Sequence, residues 1–296
     1  MNLRPVDWDM QSQMRELYLR YSPHCSALHF STLYLWQQEM QISVLLESDF
    51  FAVHAEWRGP DAWFFPCGAR DAVQRFLNHL SECPTAQLCY ADEAAVALAG
   101  EILPGRFVFD HAPQDDEYLY AISQQLALRG GAFRHQRNDL NRIQHMRGIS
   151  CRALSEATLK DAFLVLDGWG AKKNSATADG LIGADAARRF LEAFGRLDAT
   201  GVLVYRDGEP VCLAAGYPLT HECFDLALCI QTSADYGFSV YARQQLCARL
   251  AKSFRILNAE EDLGLPGLRT LKQGMRPCSI LKMYEGKPHG AFTSDH

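Results

Sequence analysis

The sequence lacks several features that would place it in a specialised class of protein. It has no apolar run near the roughly 18 residues that a membrane helix requires. It has no CxxC pair, since the closest cysteines are six residues apart, and this spacing does not favour structural zinc. Its opening residues lack the basic and then apolar pattern of a secretion signal, so we expect a cytoplasmic location.

Excess charge of one sign is also missing. The 29 lysines and arginines are nearly balanced by 35 aspartates and glutamates, giving a net charge of −6, so the surface as a whole is not suited to nucleic acid or acidic lipid. The chain is rich in apolar residues instead: 48% of its 296 residues are hydrophobic and 11% are aromatic. These values are typical of a globular protein with one large domain or two of ordinary size.

The ten cysteines fit a protein core better than a disulfide framework. Disulfide frameworks are typical of short exported chains, and no export signal is recognised here. Cys212 and Cys229 lie in apolar runs of the kind that form strands. We therefore expect reduced, largely buried thiols and no metal site.

The apolar pattern predicts the same order of elements in both halves of the chain. In the second half, strands over 201–206, 210–219 and 223–232 precede a helix that opens at 236–239, then a strand, a helix and a strand. The first half also has three strands, a helix over 71–80, and then a strand, a helix and a strand. This order predicts an α/β (α+β) fold with two mixed sheets flanked by helices, divided into domains 1–148 and 149–296.

A basic stretch, residues 128–147, joins the two halves. From Arg129 to Arg147 there are five arginines and two histidines against a single acid, Asp139. The stretch is either a solvated basic helix or a surface that binds anions. Arginine favours the second interpretation, because its planar fork matches phosphate and carboxylate groups.

Two further segments could carry chemistry. The turn at 236–239 joins a strand to a helix, and the N–H groups of Gly237 and Ser239 at such a helix start can hold phosphate. A single glycine before a helix is more often only a turn. In the second segment, residues 257–277, Asn258, Glu260 and Asp262 alternate at a strand end and would project to one side while extended.

The second segment then turns at Gly264 and Gly267 and enters a helix that carries Arg269 and Lys272 one turn apart. Its residues are either a solvated strand end followed by a salt-bridged helix, or a cluster in which an acid accepts a proton and cations hold an anion.

Three stretches resemble one known family. FSTLYLWQ (30–37) is similar to its Phe-x-x-x-Tyr-x-Trp motif, and LRGGAFRHQRNDLNRI (128–143) is similar to its Arg-Asn-x-x-Asn-Arg motif. LNAEEDLGLPGLRTLK (257–272) resembles its Asn-x-Glu-x-Asp-Leu-Gly-x-x-Gly-Leu-Arg-x-x-Lys motif, and Tyr284 matches a terminal Lys-x-Tyr. The family consists of uncharacterised bacterial proteins related to the C-terminal catalytic domain of phosphatidylglycerol lysyltransferase. Gln136, Ala259 and Gly274 depart from it, standing where lysine, arginine and serine are more usual.

The resemblance implies two tandem Gcn5-related N-acetyltransferase-like domains, in which the turn before the central helix holds the diphosphate of coenzyme A. The full R/Q-x-x-G-x-G/A pattern of that superfamily is absent. The implied function is transfer of an acyl or aminoacyl group from an aminoacyl-tRNA or an acyl thioester to an amine or hydroxyl. The alternative is a non-catalytic protein that binds an anionic small molecule or an RNA end in an inter-domain cleft.

These considerations give a set of candidate residues and partners. Glu260 and Asp262 are the candidate catalytic acids, and the candidate anion-binding residues are Arg137, Asn138, Asn141, Arg142, Asn258, Arg269, Lys272, Gly237 and Ser239. We expect no tightly bound cofactor, with coenzyme A thioester or aminoacyl-tRNA as the candidate co-substrate. The expected partners are a small-molecule or lipid-like acceptor and tRNA.

Overall fold

The computed structural model describes residues 2–174, 183–235 and 237–290. Tyr236, in the turn suggested to bind phosphate, lies outside these ranges. Their α-helices are α1 (Gln11–Tyr21), α2 (Phe30–Trp36), α3 (Arg70–Ser81), α4 (Glu93–Ile102), α5 (Ile122–Ala127), α6 (Arg134–His145), α7 (Leu159–Asn174), α8 (Ala184–Glu192), α9 (Gly237–Leu250) and α10 (Pro266–Gly274). Their strands are β1 (Ile42–Leu46), β2 (Phe50–Ala55), β3 (Ala62–Phe64), β4 (Cys67–Gly68), β5 (Gln87–Ala91), β6 (Phe107–His111), β7 (Glu117–Ala121), β8 (Ile149–Ala153), β9 (Thr200–Arg206), β10 (Glu209–Pro218), β11 (Cys223–Gln231), β12 (Ile256–Asn258), β13 (Ser279–Leu281) and β14 (Tyr284–Pro288).

Contacts within the chain group it into two units. The first contains the residues up to Glu117, Glu261–Leu268 and the residues from Ile280 onward, and the second contains Tyr118–Glu260 and Arg269–Ser279. This grouping differs from the boundary at residue 148 suggested by the sequence. The reason is that two strands pair outside the half of the chain that contains them: β7 joins the second sheet and β14 joins the first. The basic helix α6, which follows β7 in the chain, accordingly belongs to the second unit.

The first unit is built on a sheet with the strand order β1-β2-β3-β5-β14-β6, and β4 pairs beside β2. β3 and β5 are parallel and α3 lies between them in sequence, whereas the other described pairs are antiparallel. β2 is buried on both faces. Phe51 and Val53 join a cluster with residues of α1 and α2, while Phe50 and Ala52 join a cluster with α3 and α4, as the alternation of side chains along a strand requires.

The second unit repeats this plan with the strand order β13-β7-β12-β11-β10-β9-β8. β11 and β12 are parallel, and α9 connects them. Their pairing covers only Cys223–Asp225 and Ile256–Asn258, whereas β11 continues to Gln231. Phe224 and Phe238 are fully buried in the core between the sheet and α9. The predicted fold with two mixed sheets flanked by helices is confirmed.

The cysteines lie partly where the sequence suggested. Five of them are buried, namely Cys25, Cys67, Cys89, Cys212 and Cys247. Burial raises the pKa of Cys67, Cys89 and Cys247 to about 12, so these thiols stay protonated and unreactive at neutral pH. Cys278 is exposed, in contrast to the expectation for the set.

Replacing Gly216 by alanine is expected to lower the free energy of unfolding by about 3 kcal/mol. Gly216 lies in β10 where the pairing with β11 shifts register, and a Cβ there would lie 1.6 Å from the carbonyl oxygen of Asp225. Because that atom belongs to the backbone, only separation of the two strands would relieve the clash. Urea unfolding measures the effect.

Gly100→Ala provides the control, since Gly100 lies in α4 and a Cβ there would have no atom within 4 Å. It should be neutral or slightly stabilising, because alanine favours helix by up to about 1 kcal/mol over glycine. Equal stabilities of the two variants would contradict the tight approach of β10 and β11.

Candidate functional site

The basic stretch forms α6, which follows a 3-10 turn over Gly131–Phe133. One face of the helix is buried through Leu140 and Ile143. Four polar residues three or four positions apart lie exposed on the helix and form what we call the polar stripe of α6: Arg134, Asn138, Asn141 and His145. The spacing places these side chains along one side of the helix, so α6 presents cationic and amide groups to solvent.

The two arginines singled out as anion ligands have partners within the protein. Arg137 Nη1 donates to the carbonyl oxygens of Leu128 and, at 2.6 Å, Gly130. Arg142 donates to Asp139 at 2.8 Å and also to Asp235. Arg137 therefore supports the turn before α6, and Arg142 is held between two carboxylates.

The start of α9 is closed by side chains of the second unit. The N–H of Gly237 donates to Asp235 Oδ1 at 2.9 Å, and the N–H of Ser239 donates to Gln231 Oε1 at 3.0 Å. The Arg142 guanidinium lowers the pKa of Asp235, which favours its charged form. A carboxylate and an amide oxygen thus occupy the positions in which a bound phosphate would accept these hydrogen bonds.

Close packing fixes this arrangement. A Cβ on Gly237 would lie 2.9 Å from Ile143 Cγ1 and 3.1 Å from Arg142 Nη2. The absence of a side chain at Gly237 therefore allows α6 to approach the first turn of α9. Sequence reasoning identified both segments, and the structure brings Arg142 and Gly237 together.

The segment after β12 is not extended, which corrects the expectation that Asn258, Glu260 and Asp262 project to one side. Asn258 Oδ1 accepts from the N–H of Glu260 at 2.8 Å, and Asp262 Oδ1 accepts from the N–H of Gly264 at 2.9 Å. Each of these is a side-chain turn that bends the backbone. Glu260 accordingly has a φ of 56°, in the left-handed region. Asn258 and Asp262 are fully buried, whereas Glu260 is half-buried.

Lys272 is buried on α10, which is unusual for a lysine. Its Nζ donates to the carbonyl oxygen of Ala259 and lies 5.8 Å from the centre of the Tyr118 ring. The hydroxyl of Tyr120 donates to the main-chain carbonyl of Lys272 at 2.8 Å. These contacts attach α10 to β7 and to the end of β12.

Two of the positions that depart from the family motifs contact each other. Gln136 Nε2 donates to the carbonyl oxygen of Gly274, which links α6 to the end of α10. Arg269 lies half-buried on the same helix. The departures at Gln136 and Gly274 therefore concern a single contact, the hydrogen bond between α6 and the end of α10.

Sequence reasoning missed a cluster of charged residues in the first unit. Arg58 Nη1 donates to Glu285 Oε1 at 2.6 Å, and its Nη2 donates to Asp115. The Arg58 side chain is 11% exposed and that of Asp115 is 1% exposed. The guanidinium carbon of Arg58 lies 4.5 Å from the centre of the Trp57 ring and 5.4 Å from that of Tyr90.

Burial shifts the pKa values of the acidic groups in this cluster upward. Burial raises the pKa of Asp115, and Arg58 opposes the shift. Burial also raises the pKa of Tyr90, helped by the charges of Glu261 and Asp115. Two buried atoms of the ion pair, Asp115 Oδ2 and Arg58 Nε, have no hydrogen-bond partner among the described residues.

A sequence signal existed for some of these features. Asp235 stands two residues before Gly237, a spacing that is typical of an aspartate capping the turn it precedes. Asp115 belongs to an acidic run directly before the apolar strand β7. Arg58 and Glu285 had no such signal, because neither belongs to a local pattern that indicates a distant partner.

Two absences concern the described residues alone. Within 2–174, 183–235 and 237–290, no group of three or more histidine, cysteine, aspartate or glutamate side chains is placed to hold a metal ion. Over the same part of the chain, no helix combines the length and apolar character needed to cross a membrane.

Comparison with known proteins identifies the family of the chain. The model of the family described as "Phosphatidylglycerol lysyltransferase, C-terminal" matches residues 19–284, which confirms the resemblance drawn from the motifs. The structure of L-PGS from Bacillus licheniformis is similar with a TM-score of 0.66 at 13% identity, covering 97% of this chain and 93% of that chain. No curated protein matches the chain in sequence.

Other solved structures show the fold. A conserved protein of unknown function from Bacteroides thetaiotaomicron VPI-5482 is similar with a TM-score of 0.87 at 22% identity, covering 97% of this chain and 99% of that chain. A tandem GNAT protein from the clavulanic acid biosynthesis pathway is similar with a TM-score of 0.50 at 9% identity, covering 99% of this chain and 98% of that chain. The predicted tandem acetyltransferase-like fold is therefore confirmed.

Proposed function

We propose that this chain, which belongs to the phosphatidylglycerol lysyltransferase C-terminal family, transfers an aminoacyl group from an aminoacyl-tRNA to an amine or hydroxyl of a small-molecule or lipid-like acceptor. The family description and the likeness to L-PGS support aminoacyl transfer in general. The choice of donor rests on the site in the second unit.

The observation that carries this choice is the closed start of α9. A coenzyme A thioester would place its diphosphate against the N–H groups of Gly237 and Ser239, as in the acetyltransferase-like fold. Those groups already donate to Asp235 and Gln231. A diphosphate would have to displace one carboxylate and would then lie beside it, and like charges at that distance repel. The assignment of Gly237 and Ser239 to phosphate binding stays a prediction, and the thioester is the less favoured donor.

The polar stripe of α6 supports an RNA donor. Arginine and histidine attract phosphates, while asparagine side chains can contact bases and sugars. Arg129 and Arg147 lie exposed at the two ends of the segment and extend its positive charge. This is a local basic surface in a chain of net charge −6, so a short helical end of tRNA fits it better than a long duplex.

Transfer requires an acid–base group and stabilisation of the developing charge. In the proposed reaction, the acceptor nitrogen or oxygen forms a bond to the ester carbonyl carbon, and the bond from that carbon to the ribose oxygen of tRNA breaks. The proton of the acceptor passes to a base and then to the leaving ribose oxygen. Glu260 is our candidate for this base, because it is the half-buried acid of the pair, whereas the Asp262 carboxylate supports a turn. Arg269 remains the candidate cation for the anionic intermediate.

A donor competition tests the proposal. The protein is incubated with radiolabelled aminoacyl-tRNAs in one arm and radiolabelled acetyl coenzyme A in the other, each with a bacterial lipid and amine extract. We expect label to leave the RNA and appear in an acceptor. Transfer from coenzyme A alone would overturn the choice of donor, and tRNA binding without any transfer would favour the non-catalytic alternative.

Neutralising Arg134 and Arg147 together, each by glutamine, should weaken tRNA binding about tenfold. Each substitution removes one cation of the kind that contacts phosphate, so the slope of log affinity against log salt should fall by about 2. These residues are better test positions than Arg137 and Arg142, whose guanidinium groups hold protein partners. Fluorescence anisotropy at several salt concentrations measures both quantities.

The matched control replaces Lys160 and Lys252, two exposed lysines of the second unit, by glutamine. It changes the net charge by the same amount away from α6. An equal loss of affinity in the control would show that total charge, and not the polar stripe, attracts the RNA.

A further inference from the structure

We propose that the Arg58–Asp115 pair of the first unit forms a binding site for a protonated primary amine. The site lies outside the residues that the family motifs emphasise. It deepens the proposed function by naming a group that the protein recognises, and it rests on that function only for the choice of probes.

The first argument is an unfilled acceptor. Asp115 is 1% exposed, and only one of its carboxylate oxygens, Oδ1, contacts Arg58. Its second oxygen, Oδ2, is buried without a hydrogen-bond partner among the described residues. A buried carboxylate oxygen left in this state is costly. A ligand that donates a hydrogen bond to Oδ2 removes that cost, which is the basis for recognition.

The second argument is the balance of charge. Arg58 is shared between two carboxylates, Asp115 and Glu285. Asp116 also lies near enough to influence Asp115, but its carboxylate contacts His111 Nε2 at 3.0 Å and is not part of this balance. Two carboxylates therefore share one guanidinium, which favours a positively charged donor over a neutral one at Oδ2.

The third argument is the second unfilled group. Arg58 Nε is a buried donor without a partner in the described residues. Arg58 and Asp115 are in direct contact. The donor Arg58 Nε and the acceptor Asp115 Oδ2 therefore belong to one ion pair. An α-amino carbonyl group presents the matching pair, with its ammonium toward Asp115 and its carbonyl oxygen toward Arg58. Trp57 covers the guanidinium and is 42% exposed, so movement of this surface side chain would admit the ligand.

The amine could come from two sources, the α-amino group of the aminoacyl donor or an amine acceptor. Calorimetric titration of the wild-type protein separates them with three sets of probes: L-aminoacyl amides, the same amides acetylated on nitrogen, and ethanolamine. We expect at least one aminoacyl amide to bind and its N-acetyl form to bind at least tenfold more weakly. Binding of ethanolamine with equal strength would support the amine site and assign it to an acceptor. Absence of binding by all amines, or equal binding of the acetylated amides, would overturn the proposal.

Asp115→Asn should weaken binding of the tightest probe at least tenfold, because it removes the charge and keeps the shape. Asp71→Asn, at an exposed position in the first turn of α3, should bind the probe as the wild type does. Unchanged binding in Asp115→Asn would overturn the site. If that variant does not fold, a crystal structure of the wild type with the probe decides the matter: the amine should lie within about 3.2 Å of Asp115 Oδ2, and an amine bound elsewhere refutes the assignment.

The binding experiments use neither tRNA nor a transfer reaction, so amine binding without transfer would support this site and defeat the proposed function. A separate assay measures aminoacyl transfer by Asp115→Asn. Transfer with unchanged Michaelis constants for both the aminoacyl-tRNA and the acceptor would support the proposed function and defeat this site.

Discussion

Acidification from pH 6.5 to pH 4.5 is expected to remove about 2–3 kcal/mol of stability through His29 alone. His29 is buried in the first unit, where its Nδ1 accepts a hydrogen bond from the N–H of Ser31 at the start of α2. Burial, together with the charge of Arg15, lowers the pKa of His29 to about 3. Urea unfolding of the wild type and of His29→Asn across this pH range measures the loss.

The sign follows from which state binds the proton. An unfolded histidine titrates near pH 6.5, whereas folded His29 titrates near 3. Between pH 6.5 and pH 3, His29 therefore binds a proton in the unfolded chain but not in the folded protein. Stability from this group is fully present above 6.5 and is lost progressively as pH falls toward the folded pKa.

His29→Asn separates this effect from the other titrations. Asparagine retains a side-chain acceptor for the N–H of Ser31 but carries no titratable ring. The variant loses packing against Tyr18, whose ring centre lies 5.0 Å from that of His29, so its stability is lower at pH 8. Its slope with pH should nevertheless be flatter than that of the wild type. His221→Asn, at an exposed position, should retain the wild-type slope, and parallel curves for the wild type and His29→Asn would refute the assignment.

Much of the fold is predictable because its signals are local. Asp207-Gly208 predicts a hairpin, and both residues have the positive φ angles, 52° and 89°, that such a two-residue turn requires. Ser155 predicts a helix start, and its side chain forms a capping box with Thr158. Three strands, a helix, a strand, a helix and a strand recur in both halves. Each of these features depends on residues that lie close together in the chain.

The partners of the strands cannot be predicted in the same way. The apolar pattern of residues 279–285 predicts one final strand, but these residues form β13 in one sheet and the start of β14 in the other. The pattern gives no separate strand at β7, although β7 pairs with β12 in the second sheet. Pairing between distant segments depends on the packing of the whole sheet, and no local pattern encodes it.

The candidate site shows the same limit. The periodicity of α6 predicts which of its residues are exposed, because helical spacing alone determines the faces. It cannot predict that Arg142 contacts Asp235, which is 93 positions away. Arg58 and Asp115 are separated by 57 positions, and Arg58 and Glu285 by 227. Arg58 ends a short 3-10 helix, Glu56–Arg58, and nothing in that local sequence indicates which distant carboxylate it contacts.

Glu260→Gln is expected to lower the rate of aminoacyl transfer by a factor of about 10² to 10⁴. In the proposed reaction, Glu260 accepts the proton of the attacking amine or hydroxyl, and glutamine cannot accept it. The substitution keeps the size of the side chain and leaves the N–H of Glu260 on Asn258 Oδ1. Stability should change by about 1 kcal/mol or less, because a carboxylate that keeps partial contact with solvent contributes little to folding. Single-turnover transfer from aminoacyl-tRNA measures the rate, and urea unfolding measures the stability.

Glu222→Gln is the matched control, since Glu222 is an exposed acid of the second unit whose side chain is 56% exposed and pairs with Arg255 at 3.4 Å. It should transfer at the wild-type rate. The pH profile separates a base from a positioning role: loss of a base should remove the rise of the rate with pH, whereas loss of a positioning contact should lower the rate equally at every pH. A folded Glu260→Gln protein with the wild-type rate would show that another group takes the proton. Asp262 would then have to leave its turn with Gly264 to serve, which makes Asp262→Asn the next variant to measure.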